Sequence, residues 1–365
     1  MATTDPNHQS TLPTLTSKKV ARQSLLALLA SGGSLLALFL WLLSRGESLV
    51  FSLPRPLYLG MGALLLVLAW LVDATRLFLT VRAWKKPIPF RQALIVVLLT
   101  HFFAHITPSS AGGGVIEIYL LHRLGFTWGE AGSLSLSCGI LYQVGFVVLF
   151  LVFLPSIPSS LFAQTLLVIF LVYSLGLTLI FFLARQPLLL SRVIGSVLRL
   201  PKGFFPTYVT YYEESLAARA QTFLTELQKG FTLIFWQKFS YFLLNLSLYA
   251  LHSFCLFSIT YFIILALGLY LPLETVIQVH IPPLFLFRLT PTPGGSGGVE
   301  LSLVSAFTPF LGEAHAGTVV FLWRIFTYYA LLGIGGFLLF HLFKKDSSSL
   351  IYRPLTRCYD ERKEE

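Results

Sequence analysis

Two glutamates and one arginine stand in long apolar stretches, and each glutamate follows a glycine-rich turn. The first turn reads Thr107-Pro108-Ser109-Ser110-Ala111-Gly112-Gly113-Gly114 and leads to Glu117. The second reads Thr290-Pro291-Thr292-Pro293-Gly294-Gly295-Ser296-Gly297-Gly298 and leads to Glu300. Glycine and proline break a helix and expose backbone groups. A glycine-rich turn entering a helix N-terminus offers free N–H donors and a positive dipole end, which suit a phosphate. Each glutamate falls three residues after a glycine, where it can fold back as a cap on those amides. It can equally serve as a proton-coupling site or as the partner of a cationic group. Arg324 lies deep in the last apolar run, where an arginine costs about 2.5–3.5 kcal/mol on insertion scales. It is therefore expected to face the interior and to meet Glu300 or a lipid phosphate.

Other polar residues have blander readings. Arg288 sits just before the second break, and His105 occupies the same place before the first. His101 and His105 are four apart, as metal ligands on one helix face can be. With no third ligand they read as pore-facing or hydrogen-bonded histidines. Asp73 and Arg76, three apart, read as a local ion pair. His280 could line the second break. No phosphate-binding loop, zinc motif, nucleophile elbow or acidic metal-binding run is present. Hence no catalytic residue, metal or cofactor is expected, and an ATP-driven pump is disfavoured. Cys138, Cys255 and Cys358 form no disulfide framework.

The elements that must carry these groups are membrane helices. Of 365 residues 55% are hydrophobic and only 12% charged, against roughly a quarter charged in a soluble domain. Apolar runs at Ser24–Leu43, Tyr58–Leu79, Gly132–Leu154, Leu161–Ala184, Leu251–Leu269 (extended back through Phe231) and Gly317–Phe340 reach the ~20 residues a bilayer needs. The net charge of +10 fits lysine and arginine on cytoplasmic loops and anionic lipid surfaces rather than nucleic acid. Residues 1–22 read as a disordered cytoplasmic tail ending in Lys18, Lys19 and Arg22, and 343–365 as a second cytoplasmic tail.

Ala93–Ile106 and Val276–Leu289 are too short to cross and run straight into the two breaks. If the first crossed fully, the basic loop 185–230 would lie outside, against the positive-inside bias. If it enters and returns, the loop is cytoplasmic. The sequence thus predicts an all-α polytopic membrane protein. About six full transmembrane helices are expected, with two re-entrant broken-helix hairpins near 93–128 and 276–311. The first membrane half is 23–184 and the second 231–342. Between them, 185–230 suits interfacial helices or a solvated linker. Residues 231–269 are assigned one crossing, since two would place the C-terminal tail outside.

The two breaks are also a repeat. At a spacing of 183 residues Thr107-Pro108 matches Thr290-Pro291, Gly112 matches Gly295, Gly114 matches Gly297 and Glu117 matches Glu300. Gly129-Glu130-Ala131 matches Gly312-Glu313-Ala314 without a gap. Combined with the topology, the halves are inverted, an architecture of many transporters.

The chain resembles the lysylphosphatidylglycerol synthase transmembrane, flippase-like family. The segment from Leu289 to Glu300 resembles its Pro-Gly-Gly-x-Gly-x-x-Glu motif, and Leu322-Trp-Arg-Ile-Phe-Thr-Tyr328 resembles the helix that follows, with the family arginine at Arg324. Arg82-Ala-Trp84 and Pro108 through Leu121 fit as well. The first hairpin departs from the Gly-Gly-Asp-x-x-Arg of many members, with Gly114 and Glu117 at the acid and arginine positions. The resemblance implies a lipid flippase-like transporter without its own ATPase. No synthase domain follows the membrane region, so aminoacyl transfer is not expected. Candidate substrate contacts are Thr107, Pro108, Gly112, Gly114, Glu117, Thr290, Pro291, Gly294, Gly295, Gly297, Glu300, Arg288 and Arg324, with the working site leaning toward 290–324. The expected partners are membrane lipids in a bacterial inner membrane, with both termini cytoplasmic. A non-transporting partner of a glycosyltransferase or lipid-synthesis complex is the alternative.

Overall fold

The computed structural model describes residues 17–44, 55–84, 86–153, 239–287 and 292–344, with isolated positions between (46, 171, 174–176, 222, 225–226, 229–230, 232–233 and 290). The expected span 161–184 and the segment 185–230 lie almost entirely outside them. Among the described residues the secondary structure is helical, with one isolated backbone bridge. In hydrocarbon this is the economical solution, because a helix satisfies its own backbone groups.

The helices are α1 (Ser17–Ser44), α2 (Pro56–Ala83), α3 (Phe90–Ile106), α4 (Ala111–Arg123), α5 (Trp128–Phe153), α6 (Phe239–Ala266), α7 (Leu273–Phe287), α8 (Gly298–Leu311), α9 (Glu313–Arg324) and α10 (Ala330–Lys344). A π turn, Ile325–Tyr329, joins α9 to α10. Among the described residues five spans are long and apolar enough to cross a bilayer: Arg22–Ser44, Pro56–Arg82, Trp128–Leu149, Phe239–Ala266 and Glu313–His341. The protein is an integral membrane protein by this measure. Leu29 and Leu64, 62% and 68% exposed, put apolar surface outward, as a lipid-facing bundle requires. Helix α1 begins at Ser17, inside the stretch expected to be a tail. The basic residues Lys18, Lys19 and Arg22 continue the helix rather than precede it.

The two short helices expected before the breaks are α3 and α7, each starting three residues earlier than its apolar run suggested. Helix α3 stops at Ile106 because Thr107 precedes a proline. That residue is extended (φ −113°, ψ 145°), as steric clash with the proline ring demands. Ser109 and Ser110 then take left-handed φ values of 51° and 58°, and Gly294, Gly295 and Gly297 do so in the second break. Helix α7 carries Pro282 and Pro283 in its interior, each removing a backbone donor.

Element spacing repeats as well as sequence. Helices α2 and α6 are both 28 residues long and begin at 56 and 239, the same 183-residue spacing. Helices α3 and α7 begin at 90 and 273. α2 packs chiefly along α6, and each break is flanked by helices in contact, α3 on α4 and α7 on α8. Helix α1 packs on α9, α3 and α8. The two breaks meet at the backbone, where Pro108 and Pro293 form the antiparallel bridge. One apolar core surrounds α3 and α4, including Phe102, Phe103, Leu121 and Leu134. A second surrounds α8 and α9, including Val299, Leu303, Phe307 and Val320.

Close approach of helices depends on small residues where hydrophobic driving force between them is absent. A Cβ on Gly335 would lie 2.5 Å from Phe102 Cδ2, whereas one on Gly333 would meet nothing within 4 Å. Gly335→Val should therefore lower the melting temperature in detergent by several degrees, for an overpacking cost of about 1–3 kcal/mol. Gly333→Val should leave it unchanged. Equal melting of the two variants would show that this contact is not tight.

Candidate functional site

Arg324 ends α9 one residue before the π turn and is 2% exposed. Its Nε lies 2.9 Å from Glu300 Oε1, obliquely enough that the contact is an ion pair more than a hydrogen bond. Its Nη1 donates to the carbonyl of Gly294 at 3.1 Å. The guanidinium carbon lies 5.2 Å from the Tyr328 ring centre and 5.4 Å from that of Trp323, within cation–π range. Nη2 has no hydrogen-bond partner.

Besides its pairing with Arg324, Glu300 accepts two hydrogen bonds. Oε2 accepts the Gly297 amide at 2.8 Å, capping the start of α8. Oε1 also accepts the Ser34 hydroxyl at 3.0 Å. The two sequence readings of this residue, cap and cation partner, are thus both realised by one carboxylate. Glu117 differs from its repeat equivalent: it is half-buried and accepts the Ser135 hydroxyl at 2.7 Å.

The turn amides are engaged internally. Ser110 N donates to Thr107 O, Gly112 N to Thr107 Oγ1, Gly295 N to Thr292 O and Ser296 N to Pro293 O. A carboxylate already occupies the anion position at the α8 N-terminus. The turns are packed from within as well. A Cβ on Gly112 would lie 2.5 Å from Thr107 Cγ2, one on Gly298 would lie 2.8 Å from Thr290 Oγ1, and one on Gly294 would run into the Tyr328 ring. These glycines give room to the protein's own side chains.

A cavity of about 170 Å³ lies between the halves. Of the residues expected to contact substrate, Arg324 alone lines it. The turn residues Thr107, Pro108, Gly112, Gly114, Gly294, Gly295 and Gly297, with Glu117, Thr290 and Glu300, are not in its wall. Arg288 and Pro291 lie outside the described residues. The wall brings in His101, His105, His252 and His280 from α3, α6 and α7, together with Trp70 and Tyr142. His280 is 1% exposed, and neither ring nitrogen has a hydrogen-bond partner. Aromatic rings of Phe257, Trp323 and Phe307 surround it at 5.6–5.7 Å. A buried polar group left unsatisfied costs about 1–3 kcal/mol, and the His280 ring and Arg324 Nη2 are such groups on residues of the cavity wall. His101 Nε2 lies 2.7 Å from Asp73 Oδ2, and Arg76 Nε 2.7 Å from Asp73 Oδ1. The local Asp73–Arg76 pair was legible in the sequence. Its extension to His101 joins α2 to α3 and was not. His252 gave no sequence signal, since nothing periodic distinguishes it within α6. No group of three or more histidines, cysteines or carboxylates among the described residues is placed to hold a metal ion.

The sequence model described as the lysylphosphatidylglycerol synthase TM region matches residues 24–335. The chain belongs to this family. It is also similar to a UPF0104 membrane protein from Archaeoglobus fulgidus, at 28% identity over 285 residues, covering 76% of this chain and 84% of that one. The family match spans both breaks, Glu117, Glu300 and Arg324, so the cavity and its supporting turns lie within the shared region.

Removing one partner of a buried ion pair leaves an uncompensated charge and costs about 3–5 kcal/mol, while removing both is far milder. Arg324→Gln should therefore lower the melting temperature sharply. Combining it with Glu300→Gln should restore most of the loss. Additive destabilisation in the double variant would show that the pair is not coupled.

Proposed function

We propose that this protein is a flippase-like transporter that moves a lipid with a phosphate headgroup between leaflets of the membrane. The observation that carries the reading is Arg324: a buried guanidinium, neutralised by Glu300, with Nη2 unpartnered in the wall of a cavity between the two halves. A guanidinium is the side chain best suited to phosphate oxygens. The glycine turns hold Arg324 in place instead of cradling the headgroup, since Gly294 supplies its carbonyl acceptor.

The architecture supports the same reading. We infer two re-entrant hairpins, α3–α4 and α7–α8, in an inverted repeat. A two-fold axis through Ser109 and Thr292, which are 183 residues apart, would pair Pro108 with Pro293, the bridge observed. The same axis would set α2 against α6, its repeat equivalent. In such folds the substrate site lies near the midplane between the repeats, and one half rocks against the other. With no nucleotide-binding motif in the sequence, transport runs downhill or is coupled to an ion.

The test is leaflet exchange of fluorescent phosphatidylglycerol in proteoliposomes. The wild type should exchange it well above empty vesicles. The charge-balanced Arg324→Gln/Glu300→Gln variant, shown to be folded by its melting curve, should lose at least tenfold of that rate, the equivalent of about 1.4 kcal/mol. Unchanged exchange in the folded double variant removes Arg324 from the mechanism. No exchange by the wild type removes the transport reading for this lipid.

A further inference from the structure

A second polar cluster adjoins the cavity wall. His101 lines the cavity and bonds Asp73, which is 3% exposed and already paired with Arg76. Arg76 Nη1 also donates to the Cys138 carbonyl at 3.3 Å. Because Asp73 is an acceptor held as a carboxylate by Arg76, His101 Nε2 carries a proton toward it, and Nδ1 is the nitrogen left to gain or lose one. Groups near His101 come from several elements. Helix α2 gives Asp73 and Arg76. Helix α4 gives Glu117, within electrostatic reach of His101, Asp73 and Arg76. Helix α5 gives Tyr142, and α6 gives His252, whose ring lies parallel to His101 at 6.3 Å. On α3 itself is His105, within reach of Arg324 from α9 and 5.5 Å from the Tyr328 ring of the π turn.

His101 lines the cavity with its ring bonded to a carboxylate. His252 is less suited to hold a proton, because its Nδ1 donates to the Ala69 carbonyl at 3.0 Å and no carboxylate among the described residues is bonded to its ring. An anionic headgroup entering the same cavity adds a negative charge, which a proton on His101 offsets.

We propose that His101, held by Asp73, is a one-proton site, and that a phosphate headgroup and a proton occupy the cavity together. The proposal rests on the reading of the cavity as a headgroup site. By linkage, binding the anion draws a proton from water onto His101. Affinity then falls as pH rises, by at most about tenfold per pH unit for one proton. A pH gradient thereby becomes a source of energy for transport.

The test is calorimetric titration of the full protein in detergent with dioctanoyl phosphatidylglycerol, at one pH in two buffers of different ionisation enthalpy. The buffer dependence counts protons taken up. The wild type should bind with uptake approaching about one proton per lipid. His101→Gln and Asp73→Asn should bind the lipid with uptake reduced to near zero, and His122→Gln, whose ring lies outside the cavity wall, should keep it. Lipid binding by the wild type without proton uptake overturns the proposal and leaves the headgroup reading standing. Full uptake in His101→Gln also overturns it, assigning the proton to another group. No lipid binding by the wild type overturns both.

Discussion

Arg324 is a guanidinium held at 2% exposure in a membrane helix, and the surrounding structure is arranged to make that tolerable. It needs a counter-charge, supplied by Glu300, and an acceptor, supplied by the carbonyl of Gly294. Both come from a segment that is not a continuous helix. A helix there would engage its carbonyls along its own axis, and Gly294 O would have none to offer. The break is therefore the means by which backbone polarity reaches a buried side chain. Its left-handed glycines, and the Tyr328 ring packed against Gly294, hold that carbonyl in place.

A broken helix in hydrocarbon carries its own liability, because every freed amide and carbonyl must find a partner. Here each break satisfies the other. The two Thr-Pro segments run antiparallel at Pro108 and Pro293, and threonine hydroxyls take up amides and carbonyls within each turn. The donors expected to be free for phosphate are consequently spent. What remains without a hydrogen-bond partner is Arg324 Nη2, on a residue that shares the cavity wall with four histidines.

The cavity joins two electrostatic units of different character. Arg324–Glu300 is self-neutralising and fixed to the α7–α8 break. Asp73–Arg76–His101, with Glu117 nearby, joins α2 to α3 and contains the histidine proposed as the proton site. The ion pair Arg324–Glu300 belongs to the second half and Asp73–Arg76–His101 to the first, so relative movement of the halves would change the distance between them.

The sequence by itself determined the class of the protein, the positions of the two breaks and the candidacy of Glu300 and Arg324 as a buried pair. These rest on local rules: apolar run length against bilayer thickness, the clash that ends a helix before Pro108, and the insertion cost that marks Arg324. The 183-residue spacing of the two glycine turns was likewise readable, and the helix starts at 56 and 239 have the same spacing. Tertiary structure decided which residues face a common space. It placed Thr107, Gly112 and Gly297 behind the wall, and it brought His252 and His280 into it from positions with no periodic signature. It also extended Asp73 from a neighbour three residues away to His101 on another helix. Spacing along a chain fixes which side chains share a helix face. Only packing between helices fixes which faces meet, and whether a turn's amides are free or already bonded.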